Sequence, residues 1–130
     1  MNKITGVFLL AVMLAVPTMA FAASEVPPGF IAVSESRMNW ADATAWCATH
    51  GGRLPRINNS DSWNYEGKAT IEGFGTQGSP SWPPGLPGGF YWTGTVDTAP
   101  PGLSLFVYNI GDYVYVARQH GNLILAACVR

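Results

Sequence analysis

The chain carries few charged side chains for its length. Its 130 residues hold seven Lys and Arg, eight Asp and Glu and two His, which gives a formal net charge of -1 at pH 7. This balance offers no basic surface for a phosphate backbone, so we predict no nucleic-acid partner. Aromatic residues make up 12% of the chain, and scarce charge with many aromatics argues against intrinsic disorder. The length fits a single domain, since domains usually take about 100–200 residues.

Motifs that carry catalysis or bind cofactors are missing. Two His and no Cys-x-x-Cys leave few ligands for zinc, and neither a phosphate loop nor a nucleophilic serine motif occurs. Cys47 and His50 suggest a thiol nucleophile by their spacing, but a disulfide and a helix-terminal His explain them more economically. No spacing singles out a catalytic pair among four acidic side chains: Glu66, Glu72, Asp97 and Asp112. We therefore predict no enzyme activity, no metal and no cofactor.

A long hydrophobic run is also missing, and the short one near the N-terminus is typical of a signal peptide. Lys3 precedes the apolar run Val7–Val16, and Ala20-Phe21-Ala22 places small residues where a signal peptidase cuts. A membrane anchor is the alternative, but spanning a bilayer takes about 20 apolar residues. We predict a signal peptide over residues 1–22 and one domain over 23–130, without a membrane span after cleavage. The protein would be exported, and it would be periplasmic, on the cell surface or secreted.

Cysteine is scarce, with Cys47 and Cys128 as the two examples in the chain. Export into an oxidising compartment favours a disulfide between them. On the chain-entropy model, closing a loop of about 80 residues contributes about 4–5 kcal/mol. Two buried thiols are the alternative.

Local patterns predict an α+β domain whose clearest element is a helix. Asn39 suits the N-cap and Gly51 suits the left-handed residue after the last turn. Trp40, Ala43 and Cys47 recur along one helical face. A second helix is predicted over Asp61–Ala69, with Trp63 facing inward.

Strand patterns and one long loop account for the rest of the domain. Phe30–Val33 is predicted to be a first strand and Arg53–Ile57 a short extended segment. Six Gly and four Pro make residues 73–89 a long irregular loop, which is functional or disordered in most compact domains. An antiparallel meander, with turns at Gly111-Asp112 and residues 120–122, is predicted from three runs: Leu103–Ile110, Tyr113–Gln119 and Leu123–Val129.

Four motifs in this order resemble a C-type lectin-like domain: Trp40-x-x-Ala43-x-x-x-Cys47, Gly51-Gly52-x-Leu54, Tyr91-Trp92-Thr93 and Ala127-Cys128-Val129-Arg130. The chain is most similar to the bacterial, adhesin-like branch, and the resemblance covers Phe30 to Arg130. It implies an α+β fold with one or two short helices, an antiparallel C-terminal meander and a long irregular loop. It also implies a disulfide that joins the helix cysteine, Cys47, to the last-strand cysteine, Cys128.

The chain departs from the family's sugar-binding members. They bind calcium and sugar through Glu-Pro-Asn or Gln-Pro-Asp in the long loop and Trp-Asn-Asp on a strand, and none of these triplets occurs here. No cysteine is left for the second disulfide that those members carry. Between Gly73 and Gly102 the only carboxylate is Asp97, whereas calcium takes six to eight oxygen ligands. We therefore expect any binding to be independent of calcium.

Aromatic side chains supply the candidate ligand contacts. Trp82 lies among prolines in the long loop, where it is placed to stack on a sugar or to anchor a protein partner. A lid folded over a thin core is the alternative for Trp82. Trp63, Tyr65 and Asp97 complete the candidate set, while a loose basic group is interpreted as a solvated face: Arg53, Arg56 and Lys68.

These observations predict an exported, non-catalytic recognition module that binds an unidentified protein or glycan through the region between Gly73 and Gly102. The alternative is a structural or accessory subunit of a cell-envelope assembly. In that case the apolar strands Leu103–Ile110 and Leu123–Val129 would offer a face to a partner chain.

Overall fold

The structure is a computed structural model that describes residues 26–119 and 121–130. The predicted signal peptide lies outside these residues. The described part is mostly sheet with one short helix, an α+β mix. No helix in it is long and apolar enough to cross a membrane. In chain order the elements are β1 (Ala32–Val33), α1 (Trp40–Thr49), β2 (Ser62–Trp63), β3 (Thr70–Ile71), β4 (Gly75–Thr76), β5 (Phe90–Asp97), β6 (Ser104–Ile110), β7 (Tyr113–Gln119) and β8 (Ala127–Cys128).

Helix α1 begins and ends where the sequence predicts. The side chain of Asn39 accepts a hydrogen bond from the Asp42 N–H at 2.7 Å, which satisfies one of the first-turn donors. Gly51 follows the helix with φ +79°, and its N–H donates to the Ala48 carbonyl at 3.0 Å. Ala43 and Cys47 are completely buried, so this face of the helix packs against the rest of the domain.

A four-stranded sheet in the order β2-β5-β6-β7 forms the centre of the fold. Strands β5, β6 and β7 run antiparallel and form a meander, while β2 pairs with β5 in parallel. The turn between β6 and β7 falls at Gly111-Asp112, as predicted.

Both faces of the meander are buried over much of their area, because alternate residues point into two separate cores. Tyr91, Val107 and Val116 lie opposite one another on three strands and belong to the first core. Trp92 and Phe106 face the other way, into the second core, which also contains Cys47 and Cys128. The indole Nε1 of Trp92 donates to the Met38 carbonyl at 2.8 Å and ties β5 to the segment before α1.

The C-terminal segment contradicts the predicted third strand of the meander. Strand β8 pairs with β1 rather than with β7, and the preceding Leu125 forms a parallel bridge with Tyr91. Alternating apolar residues correctly indicate an extended segment here, but alternation carries no information about the partner strand. The predicted disulfide between Cys47 and Cys128 is present, and it joins α1 to β8 across 81 positions of the chain.

The predicted helix over residues 61–69 is wrong. Ser62 and Trp63 instead form β2, and Tyr65 has φ +67°, which a helix does not accommodate. Pairing with β5 outweighs the local helix signals, since Ser62 lies opposite Val96 and Trp63 opposite Asp97. Trp63 is buried, as expected of an inward-facing residue.

The long loop over residues 73–89 is irregular apart from β4, and hydrogen bonds hold it against β7. The Gly78 N–H donates to the Val114 carbonyl at 2.7 Å, and the Trp82 N–H donates to the Asp112 carbonyl at 3.0 Å. Because these bonds fix its middle, the loop forms a defined wall over the first core.

Candidate functional site

Three of the four predicted ligand residues lie together at one end of the sheet. The parallel pairing of β2 with β5 places Trp63 opposite Asp97. The ring centres of Trp63 and Tyr65 are 4.6 Å apart, and the Arg118 guanidinium lies 4.9 Å from the centre of the Tyr65 ring. Arg118 completes this group by pairing with Asp97.

The electrostatics of this group favour an ionised Asp97. The Ala99 N–H donates to Asp97 Oδ1, and this hydrogen bond, assisted by Arg118, lowers the pKa of the carboxyl. Burial raises the pKa of Tyr65. Asp97 is almost completely buried and both its oxygens are engaged within the protein, so it holds Arg118 in place. Ligand contact by Asp97 stays a prediction.

Trp82, the fourth predicted residue, lies elsewhere. Its backbone bonds to Asp112 in the β6–β7 turn, six residues along β7 from Arg118, a distance of about 20 Å at about 3.3 Å per residue. The partly buried indole packs 5.1 Å from the Phe74 ring and 5.9 Å from the Tyr91 ring, between ring centres. This arrangement is that of a lid over the first core, one of the two alternatives for Trp82. Ligand contact by Trp82 stays a prediction.

Two members of the basic group predicted as a solvated face, Arg53 and Arg56, form ion pairs. Arg53 meets Glu72 in a two-pronged contact, with Arg53 Nη2 donating to Glu72 Oε2 at 2.8 Å. The Arg56 N–H also donates to Glu72, so the segment predicted to be extended is held to β3. The hydrogen bond from Arg53 lowers the pKa of Glu72.

A surface that the sequence analysis did not single out carries four neighbouring aromatic rings from the three strands of the meander. We call it the aromatic face: Phe90, Phe106, Tyr108 and Tyr115. Phe90 lies opposite Tyr108, and Tyr108 lies opposite Tyr115. Neighbouring ring centres are 5.3–5.8 Å apart, within the range of favourable edge and tilted contacts. Phe90, at one end of this row, leaves 51% of its surface exposed.

A groove of about 620 Å³ adjoins the aromatic face, within the size range of small-ligand sites. It lies between the start of β5 and the segment that leads into β8, and Phe90 and Phe106 belong to both surfaces. The lining residues are Arg37, Gly88, Gly89, Phe90, Phe106, Asn122, Leu123, Ile124 and Leu125. Apolar side chains dominate, and two polar side chains, Arg37 and Asn122, stand among them.

The wall formed by Gly88 and Gly89 is fixed by Asn109. The Gly89 N–H donates to Asn109 Oδ1 at 3.0 Å, while Asn109 Nδ2 donates to the Gly111 carbonyl at 2.8 Å. A Cβ on Gly88 would lie 3.0 Å from Asn109 Nδ2, so the close approach of backbone and side chain favours glycine there. The groove is therefore bounded by a rigid wall at the end of the long loop.

The described residues contain no group of three or more His, Cys, Asp or Glu side chains placed to hold a metal ion. The groove itself carries one cationic group, one amide and several apolar side chains. Such a set can bind and orient a ligand by stacking, hydrogen bonding and charge.

No protein-family model matches the chain, and no curated protein or solved structure is significantly similar to it.

Sequence reasoning missed the groove because its lining comes from distant segments. One signal was present: aromatic residues occupy alternate positions at Phe90 and Trp92, and again at Phe106 and Tyr108. In a strand this spacing places both rings of each pair on one face.

Proposed function

We propose that the protein is an exported, non-catalytic recognition module of C-type lectin-like fold, which binds a glycan or protein ligand without calcium. The groove and the aromatic face beside it form the binding surface. The region between Gly73 and Gly102 contributes Gly88, Gly89 and Phe90 to this surface. The order of the lectin-like motifs and the disulfide from α1 to β8 support the proposed fold.

One observation carries the proposal: a large aromatic ring is held in place by protein contacts and still presents half its surface to solvent. Phe90 packs against Phe106 and Tyr108, with ring centres 5.3 and 5.7 Å away. Its orientation is set before any ligand arrives, so little side-chain entropy is lost on binding. Exposed rings fixed in this way serve as anchors for sugars and for protein partners.

The test is a glycan and peptide array probed with the exported protein, purified with its disulfide intact. We expect a ligand whose binding is lost in Phe90→Ala, retained in Phe90→Tyr and unchanged by chelation of calcium. Trp82→Ala serves as a comparison, because this residue packs on the first core away from the groove. A ligand that depends on calcium, or that ignores Phe90, would contradict the proposal.

A structural subunit of an envelope assembly is a second candidate, because the tip of the β6–β7 hairpin is apolar. Ile110 and Tyr113 lie opposite each other and are 62% and 47% exposed. A subunit would associate with itself or with envelope partners through this tip. Light scattering of the purified protein and of an Ile110→Ser variant tests self-association, and a pulldown from an envelope extract with both proteins tests association with partners. A recognition module remains monomeric and retains no envelope partner that depends on Ile110.

A further inference from the structure

The groove contains a positively charged side chain and no negatively charged one. Arg37 is exposed, and among the described residues no carboxylate lies within ion-pair distance of it. The lining contains no acidic side chain. The other arginines of the α1 and β2 region differ, since Arg53 meets Glu72 and Arg56 meets Asp61. A ligand that carries a carboxylate would supply the counter-charge that Arg37 lacks, and a guanidinium can hold a carboxylate through two parallel hydrogen bonds.

The apolar part of the groove suits a ring rather than a flexible chain. The Phe90 ring is fixed by its neighbours, and Leu123 beside it is 59% exposed. The C–H face of a sugar ring stacks on such an aromatic surface, because the electron-rich ring attracts weakly positive C–H groups. Asn122 adds an amide with both donors and an acceptor, which matches neighbouring hydroxyl groups on a sugar.

The backbone along the inner edge of the groove, at Phe90, Ile124 and Leu125, is already paired, which argues against an extended peptide there. The Leu125 N–H donates to the Phe90 carbonyl at 3.1 Å, and the Trp92 N–H donates to the Leu125 carbonyl at 3.0 Å. Ile124 and Met38 exchange two further backbone hydrogen bonds of 2.7 and 3.0 Å. Peptides that bind by strand addition need an open row of backbone donors and acceptors. Binding along this edge therefore relies on side chains.

From these three features we infer that the groove binds an acidic saccharide, one whose sugar ring stacks on Phe90 while its carboxylate pairs with Arg37. This inference rests on the proposed function and names its ligand class. Asn122 binds hydroxyl groups of the same sugar, and the wall held by Asn109 limits the depth to which the ring enters.

The experiment uses uronic-acid and sialic-acid oligosaccharides, each paired with a counterpart whose carboxyl group is reduced to an alcohol. Binding to the oxidised, exported protein is measured by calorimetry at low and at high salt. We expect at least one acidic member to bind about tenfold or more tightly than its reduced counterpart, with the difference shrinking at high salt.

Two variants and two controls assign the effect to the groove. Arg37→Gln should remove the preference for the acidic member while leaving weak binding of the reduced one. Phe90→Ala should weaken both, and Phe90→Tyr should keep both. Arg56→Gln, an arginine outside the groove, should change neither. Melting temperatures of all variants verify that they are folded.

The outcomes separate the inference from the proposed function. If every acidic member binds no better than its reduced counterpart, or if the preference survives in Arg37→Gln, the acidic-saccharide inference is overturned. The proposed function then still stands when a neutral glycan or a peptide on the array depends on Phe90. If no ligand of any class depends on Phe90, both fail.

Discussion

The ring of Phe90 stands edge-on to the ring of Tyr108, with 5.7 Å between ring centres and 82° between ring planes. This contact fixes one edge of Phe90 and leaves its other side toward the groove. A residue held in this way contributes more to an external contact than to the stability of the fold.

Truncation of Phe90 should therefore cost less stability than truncation of Trp82. We expect Phe90→Ala to lower the free energy of unfolding by about 1 kcal/mol or less, because half of the side chain is already in water. Trp82→Ala should cost about 2–3 kcal/mol, since it removes packing against Phe74 and Tyr91 and the Nε1 hydrogen bond to the Leu86 carbonyl. Urea denaturation of the two variants measures both values. A Trp82→Ala variant as stable as the wild type would contradict the lid arrangement.

The disulfide should account for a large part of the stability. The double variant Cys47→Ala/Cys128→Ala avoids a reactive thiol and should lose about 4–5 kcal/mol, because the bond closes a loop of 81 positions in the unfolded chain. The measurement is the denaturation midpoint of the variant beside that of the wild type, both under oxidising conditions. Reducing the wild type should shift its midpoint in the same direction. Equal midpoints for all three samples would show that the bond does not limit the unfolded chain.

The two adjacent glycines after α1 are required for different reasons, so their alanine variants should differ. Gly51 has φ +79° and open space around it, and Gly51→Ala should cost about 1–2 kcal/mol for the left-handed conformation alone. A Cβ on Gly52 would lie 2.3 Å from the Val129 carbonyl oxygen and 2.4 Å from Ile31 Cδ1. Gly52→Ala should therefore cost about 3 kcal/mol, because the backbone at Val129, just after β8, would have to move. Thermal denaturation of both variants tests the order, and a more stable Gly52→Ala would refute the close approach.

Acid should weaken the fold in part through Glu72. Its pKa is lowered in the folded state, chiefly by the hydrogen bond from Arg53, relative to about 4.3 for an unperturbed Glu. The folded state therefore binds this proton less readily than the unfolded state does. The contribution to stability is present above about pH 4.3 and is lost as the pH falls toward the folded pKa.

Glu72→Gln isolates this effect. We expect the variant to be about 1 kcal/mol less stable than the wild type at pH 7, a value reduced by the partial exposure of Arg53, and this difference to disappear as the pH falls below the folded pKa of Glu72. Asp97, whose pKa is also lowered, is present in both proteins and cancels in the comparison. The matched control is Asp61→Asn, which removes the 83% exposed member of the ion pair with Arg56 and should change little at any pH. If the difference in stability between Glu72→Gln and the wild type stays the same as the pH falls, the effect comes from packing and not from the charge.

Local chemistry allowed the sequence to predict α1 and the β6–β7 turn, whereas the disulfide was predicted from the two cysteines of a chain expected to be exported and from the family resemblance. Asn39 and Gly51 bound the helix through their own hydrogen bonds, and Gly111-Asp112 suits a tight turn, so neighbouring residues are enough. The partner of the C-terminal segment could not be predicted in this way, because alternating apolar residues suit β1 as well as β7. The helix predicted over residues 61–69 is wrong for a related reason, because strand pairing with β5 outweighs the local helix-capping residues.

The sequence predicted some residues of the candidate site and missed others. Trp63, Tyr65 and Asp97 do come together, although Arg118, which orders the group, lies on β7, far along the chain. Trp82 is separated from them because the loop is fastened to the opposite end of the same strand. Arg37 and Asn122 carried no local signal, since a single exposed arginine or asparagine is ordinary until the fold places it beside Phe90.

The link between α1 and β8 has a consequence for resistance to proteolysis. Every turn of the meander lies inside the ring that Cys47 and Cys128 close, including the exposed Gly111-Asp112 turn. A protease that cuts there produces two fragments, which the Cys47–Cys128 disulfide still joins. The sheet contacts then hold the fragments in place. The nicked protein would run as one molecule on a gel without reductant and as two with it. Of the residues that line the groove, Arg37 alone lies outside this ring, so a cut on the N-terminal side of Cys47 is the one that could release it.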